Sequence, residues 1–201
     1  MKHKITNLNI KDAQVEKNIK DNFPKGLDFC YTDPPWGDGN LRYWKTMHSK
    51  MSGVDEELLS QEELENRFVS LIVENVKDYA FIVYGKKQMQ SCVHKLCARK
   101  EVKDVQIYSK KYQSGQKWLE NVVICVTLNN AEIVDWSELK DKNGLDGLKY
   151  VCQKFQSRYN TCLELFVGIG GYLKMLHEHN FTVCGNEMNT ARLTKALSRL
   201  K

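Results

Sequence analysis

An α/β domain built on a mostly parallel sheet is the fold class that this 201-residue sequence predicts. Three observations carry it. Short apolar runs alternate with amphipathic segments along almost the whole chain. Two of those runs follow each other with no helix between them, and two strands end in loops of unusual chemistry, Asp33-Pro34-Pro35-Trp36 and Gly168-Ile169-Gly170-Gly171. Such alternation packs helices on the faces of parallel strands, and the uninterrupted pair adds an antiparallel hairpin at one edge.

The elements follow in order. Lys4 to Ile10 reads as a strand and Asp12 to Asp21 as a short helix. The turn Asn22-Phe23-Pro24-Lys25-Gly26 feeds a second strand over 27–32, which stops at the Pro-Pro corner because the first proline cannot donate to a ladder. About two dozen residues rich in Gly and charge are then expected to form a loop. Ser60-Gln61-Glu62-Glu63 is a capping box that opens a helix with Leu64, Phe68, Leu71, Ile72 and Val76 on one face. Tyr79 to Tyr84 is a strand, and Gly85 leads into a helix ending near Arg99. Val102–Tyr108 and Asn121–Leu128 form the hairpin, with Ser109–Glu120 as its basic and aromatic loop. Asn129 to Asn143 is a surface connection, Gly144–Tyr159 a helix and Cys162–Val167 a strand. After the glycines come a helix over Tyr172–Asn180, a strand over Phe181–Glu187 and a closing helix over Asn189–Leu200. The sequence has no repeat, low-complexity tract or linker, so a single domain over 1–201 is expected.

Composition is 42% hydrophobic and 27% charged, ordinary for a globular chain. No apolar run approaches the roughly 20 residues that span a bilayer, and the first residues are too polar for a secretion signal. A cytoplasmic location without membrane contact is therefore expected. The seven cysteines form no Cys-x-x-Cys pair, and four of them (30, 125, 162, 184) fall in strands as small buried hydrophobes. That usage favours a reducing compartment. Net charge is +5, unevenly spread: Lys86–Trp118 carries nine Lys/Arg against two acids, Lys50–Asp78 three against eight. A basic region opposed to an acidic one suits a polyanionic partner.

The two loops carry the chemistry. Asp33-Pro34-Pro35-Trp36 is a rigid corner with one acceptor side chain, exposed carbonyls and an aromatic wall, suited to gripping a planar ring that bears an amino group. Gly168, Gly170 and Gly171 let a ligand approach the backbone and the free N–H groups of the next helix. Glu187, at the end of the following strand, is placed to accept the hydroxyls of a ribose. No Lys-Ser/Thr follows the glycines, which argues against a triphosphate loop. Arg42, Tyr43 and Trp44, with Lys110, Lys111, Tyr112, Lys117 and Trp118, mix cations with aromatics, as phosphate contact and base stacking require. His177-Glu178-His179 diverges on a helix end, so no metal site is predicted.

Taken together, these motifs resemble the S-adenosylmethionine-dependent amino-group methyltransferases, most closely the N6-adenine group with Asp-Pro-Pro-Trp that includes the mRNA adenosine methyltransferases and bacterial and phage relatives. Leu163-Glu164-Leu165-Phe166 and Gly185-Asn186-Glu187 look like that group's later signatures, and the catalytic corner precedes the cofactor loop, its circularly permuted order. The resemblance implies a Rossmann-like, doubly wound domain with seven strands, the first being the family's third strand moved to the front. It implies S-adenosylmethionine as cofactor, held by Glu164, Phe166, Gly168, Gly170, Gly171 and Glu187, with Asp12 and Asn186 nearby. Asp33, Pro34, Pro35 and Trp36 would be catalytic, acting on N6 of a flipped adenine in DNA. N4 of cytosine, N6 of adenosine in RNA, and a silent nucleic-acid-binding subunit stay open as alternatives. No segment is large enough for a separate target-recognition domain, which points to a partner, a small site or loose specificity; a homo-oligomer or a partner subunit is among the expectations. The mRNA-type relatives lack this glycine-rich loop, so the chain copies neither branch.

Overall fold

The computed structural model describes residues 3–52, 59–114, 117–142 and 144–200, the side chains of 38, 40, 44, 48, 51–52, 111–114 and 117–119 excepted. Its elements run β1 (Lys4–Thr6), α1 (Ala13–Asn22), β2 (Leu27–Thr32), α2 (Asp38–Ser52), α3 (Gln61–Asn75), β3 (Val76–Gly85), α4 (Met89–Cys97), β4 (Val102–Ser114), β5 (Lys117–Leu128), α5 (Gly144–Phe155), β6 (Thr161–Glu164), α6 (Gly171–Glu178), β7 (Thr182–Asn186) and α7 (Thr190–Ser198).

Seven strands form one sheet in the order β1-β7-β6-β2-β3-β5-β4. Neighbours from β1 to β3 are parallel, while β5 runs antiparallel to both β3 and β4. The first strand pairs with the last, Ile5 opposite Gly185, so the permuted order closes on itself at that edge. Alternation sorts each strand onto two cores. Cys30, Ala80, Ile82, Tyr84, Ile124 and Val126 face the side covered by α1, α3 and α4. Phe29, Tyr31, Phe81, Val83, Val123 and Cys125 face the side covered by α5, α6 and α7. Central strands buried on both faces read as continuous apolar runs, which is why β2 and β3 were legible.

Three expectations are corrected. Of the stretch after the corner, Asp38–Ser52 is the helix α2, not a loop, and 53–58 lie outside the described residues: the helix opens with Leu41 N–H donating to Gly37 (3.0 Å), and Leu41 packs on the core. Its few apolar positions give a weak helical stripe, hidden among glycines and charges. Ser109–Glu120 is likewise not a loop. The ladder continues through Lys110 opposite Asn121 to Ser114 opposite Lys117, so the hairpin is two long strands, residues 115–116 lying outside the described residues. Lysines inside the alternation masked it. The first strand is also shorter than expected, because Asn7 turns away to donate to the carbonyls of Glu187 (2.7 Å) and Met188 (3.0 Å). Among the described residues no helix is long and apolar enough to cross a membrane.

Candidate active site

The site lies where β2, β6 and β7 end side by side, so residues more than a hundred positions apart in sequence become neighbours. Thr32, the last residue of β2, donates through Oγ1 to Oε1 of Glu164, the last residue of β6 (3.0 Å), and the Phe166 N–H donates to the same oxygen (3.0 Å). Oε2 of Glu164 is buried with no hydrogen-bond partner among the described residues. Burial pushes this carboxyl up to about 8; the two hydrogen bonds oppose that, and the charges of Asp33 and Glu187 add to it. An acid with an unmatched buried oxygen is costly unless a donor arrives to meet it.

Asp33 follows directly. Its side chain keeps an open side to solvent, while protein crowds it elsewhere. That crowding raises the carboxyl to about 6, with Lys110 and the nearby indole N–H of Trp36 holding it lower than crowding alone would. Pro34 is buried, Pro35 and Trp36 half-buried. The indole lies against Gly85 at the end of β3, where a Cβ would fall 2.5 Å from Cε3 and leave it no seat. Gly37, at φ +76°, turns the chain out of the corner.

The corner is anchored by a buried polar network. The Gly37 N–H donates to Oε1 of Gln61 (2.8 Å), whose amide reaches Tyr84 Oη and Glu65. Glu65 also accepts from Tyr84 (2.7 Å), Ser91 (2.6 Å) and Lys95 (2.9 Å). Burial raises the Glu65 carboxyl, but the hydrogen bonds from Ser91, Lys95, Tyr84 and Gln61 outweigh it and hold it below the usual carboxylate range. Its stabilisation is therefore present above the unfolded value of 4.5 and lost as pH falls through the folded one. Glu65→Gln is expected to cost about 1–3 kcal/mol at pH 7. Urea melts should show the deficit narrowing below pH 4.5; a constant deficit would remove the charge from the explanation.

The glycine loop closes the other side. Gly168 and Gly170 have φ of +56° and +83°. A Cβ on Gly170 would lie 2.7 Å from Ala196 Cα, so α7 packs directly on the loop, whereas at Gly168 the nearest heavy atom is 3.9 Å away. Gly171 opens α6. Glu187 accepts from the Gly168 N–H (2.8 Å) and the Asn189 N–H (2.9 Å), so its carboxylate braces the loop. Phe166 packs edge-on to Phe68, centroids 6.3 Å apart.

Other expected residues sit elsewhere or are otherwise engaged. Asn186 ties β7 to β1, donating to the Leu8 carbonyl (3.0 Å) and accepting from Thr6 Oγ1 (2.8 Å). Asp12 caps α1, accepting from the Gln14 N–H (2.8 Å) on an exposed surface. Arg42 and Tyr43 are exposed on α2, and Tyr43 lies near Arg192 of α7, itself beside Glu187. Lys110 was expected on a hairpin loop, yet it is 5% exposed and sits in β4 opposite Asn121. The side chains of Trp44, Lys111, Tyr112, Lys117 and Trp118 lie outside the described residues. No group of three or more potential metal ligands gathers among the described residues.

Sequence reasoning missed three neighbours. Thr32 orients Glu164. Tyr31 donates to the Gly144 carbonyl (2.9 Å) and meets Tyr172 edge-on, centroids 5.1 Å apart. Burial first, then the charge of Asp33, pushes both phenols well above their usual range, so they form a neutral wall. Tyr172 follows the glycines directly, a first-turn position that could have marked it.

The seven-stranded mixed sheet, mostly parallel with its antiparallel β3-β5-β4 edge, is a methyltransferase fold, and solved structures share it. No family model and no curated protein matches the chain. Among solved structures, M1.HpyAVI aligns over all of both chains with a TM-score of 0.65 at 13% identity. TTHA0409 of Thermus thermophilus, assigned as a DNA modification methylase, covers 99% of this chain and 94% of its own, with a TM-score of 0.62 at 11% identity. The cytosine-N4-specific PvuII DNA methyltransferase covers 97% and 87%, with a TM-score of 0.58 at 10% identity. M1.HpyAVI and TTHA0409 have both been solved with S-adenosylmethionine. At these identities the likeness is one of fold.

Proposed function

We propose that this chain transfers a methyl group from S-adenosylmethionine to the N6 amine of adenine in DNA. One observation carries the reading: Asp33 of the Pro-Pro corner and Glu164 of the glycine-loop strand stand together at adjacent strand ends, and Glu164 keeps a buried oxygen without a partner. The residues fit the cofactor. An ammonium such as its methionyl group carries would satisfy Oε2 of Glu164, the open side of Gly168 leaves room at the backbone, and Glu187, which braces that loop, would take the ribose. Bound there, the cofactor supplies an electrophilic methyl on a sulfonium.

The protein's part is to make a poor nucleophile attack. The lone pair of an exocyclic amine is delocalised into its ring. Asp33 and the Pro34 carbonyl each accept one amine hydrogen, drawing the nitrogen towards a tetrahedral state. The N–C bond forms as the S–C bond breaks, and the nitrogen's proton leaves by way of Asp33. This is positioning and electrostatic stabilisation. The base must be unpaired or flipped to reach the corner, with Trp36 as its stacking wall. A second copy or a partner subunit would supply sequence recognition.

A second reading, N4 of cytosine, is favoured by the similarity to the PvuII enzyme, since the same corner grips either amine. The test incubates the protein with labelled S-adenosylmethionine and unmethylated DNA or RNA, then digests the polymer to nucleosides. Label in N6-methyldeoxyadenosine is expected. Label in N4-methyldeoxycytidine or in RNA overturns the base or polymer, and none anywhere overturns the enzyme.

A further inference from the structure

The corner, α2 and α3 all meet at Gly37. Its carbonyl accepts the first bond of α2, from the Leu41 N–H (3.0 Å), and its N–H donates to Oε1 of Gln61 (2.8 Å), the first residue of α3. Behind Gln61 stands a chain of hydrogen bonds with one possible sense. Glu65 is 1% exposed and ion-paired with Lys95 (2.9 Å), and as a carboxylate it can only accept. Tyr84 therefore gives its hydroxyl hydrogen to Glu65 (2.7 Å). Its oxygen is left to receive the Gln61 amide N–H, which also reaches Glu65 (3.3 Å). The Gln61 amide is thus turned with its nitrogen inward and its oxygen onto Gly37.

We infer that Gln61 is a positioning residue for the target base: by holding the Gly37 N–H it fixes the peptide between Trp36 and Gly37, and with it the indole on which the base stacks. This rests on reading Trp36 as that stacking wall. A peptide unit is planar, so fixing its N–H also fixes its carbonyl, which belongs to Trp36. Gly37, at φ +76° and without a side chain, would otherwise let the chain pivot there. The indole itself lies against Gly85, and the Gln88 side chain fills the space beside both Gly85 and Gly37. Rotation of the Trp36–Gly37 peptide is the freedom that Gln61 removes. The cofactor side is held through other groups: Glu164 by Thr32 and the Phe166 N–H, Glu187 by the N–H groups of Gly168 and Asn189. Loss of Gln61 should therefore fall on the base and spare the cofactor.

The test watches the indole itself, so it does not depend on activity. The four tryptophans are replaced by 5-fluorotryptophan, and the fluorine NMR signals of Trp36 and Trp136 are assigned by their loss in Trp36→Phe and Trp136→Phe. Gln61→Leu is expected to shift or broaden the Trp36 signal. The signal of Trp136, buried on the other face of the sheet, should stay where it is. Gln61→Glu presents an oxygen to Gly37 whether ionised or protonated, and should restore the wild-type signal. Should the leucine variant not fold, Gln61→Asn takes its place, with the same shift expected: it keeps the amide but falls short of Gly37 by a methylene. An unmoved Trp36 signal, or one that glutamate does not restore, overturns the assignment. So does a Trp136 signal that moves as well, which would make Gln61 a part of the fold at large. Where transfer is measurable, KM for DNA should rise about tenfold in Gln61→Leu, with kcat and cofactor affinity within a factor of ~2, and return in Gln61→Glu. A fall in kcat at unchanged KM would overturn it too. A protein that methylates nothing would sink the proposed function, yet the fluorine signals would still decide whether Gln61 sets the indole.

Discussion

Replacing Asp33 with asparagine is expected to slow methyl transfer by about 10²–10³-fold while leaving cofactor affinity within a factor of ~2. Asparagine keeps the volume and removes the charge, and its amide can turn an N–H towards the incoming amine. The loss therefore falls on the transition state, where the nitrogen becomes tetrahedral and its hydrogens most need an acceptor. The pH profile adds a second signature. With the Asp33 carboxyl raised to about 6, wild-type turnover should fall as pH drops through 6, and this limb should vanish in the variant. Stability should move the other way. A carboxyl whose folded pKa lies above its unfolded 3.8 contributes stability below that value and loses it as pH rises through about 6. Asp33→Asn should therefore melt higher than wild type above pH 6, an active-site residue held at a cost to the fold. Equal rates in single-turnover transfer for the two proteins would remove Asp33 from the chemistry.

The fold was legible because its signals are local. Each central strand is apolar on both faces, Ser60 and Glu63 mark the start of α3 by a reciprocal cap that forms as expected, and Gly168 and Gly170 take the positive φ that only their sequence type adopts freely. The helix α2 was not legible, since Gly37 and Gly39 blur its start and Leu41 is the anchor that only the folded sheet reveals. The site divides in the same way. Asp33 and Glu164 could be picked out by motif, but not that Thr32 joins them, because that bond spans 132 positions and depends on β2 and β6 being neighbours. Lys110 shows the limit most clearly. A lysine in a basic run reads as solvated, and only the extension of the ladder to Ser114 makes it a buried strand residue opposite Asn121. Asn186 runs the opposite way: its place beside Glu187 suggests a ligand contact, and its hydrogen bonds with Thr6 and Leu8, which tie β7 to β1, could not be read from sequence.

Glu164→Gln should weaken S-adenosylmethionine binding by about two orders of magnitude, a loss of about 3 kcal/mol. Glutamine can still accept from Thr32 and Phe166 N–H through its oxygen, so the strand ends should hold. What changes is the atom at Oε2, which becomes an NH₂ facing the cofactor's ammonium. The free protein should tolerate the change well. Its carboxyl is raised from 4.5 to about 8, so the stability Glu164 contributes is present below pH 4.5 and lost as pH rises through 8. The variant should lack that loss and outlast wild type above pH 8. Binding reverses the ionisation, because an ammonium beside Oε2 favours the carboxylate. Wild type should therefore release about one proton per cofactor bound at pH 7, and its affinity should weaken about tenfold for each pH unit from 8 down towards 6. Calorimetry in two buffers of different ionisation enthalpy measures the released proton directly. Heats that do not change with buffer, or a glutamine variant that binds as tightly as wild type, would show that the buried oxygen of Glu164 awaits something other than a cation.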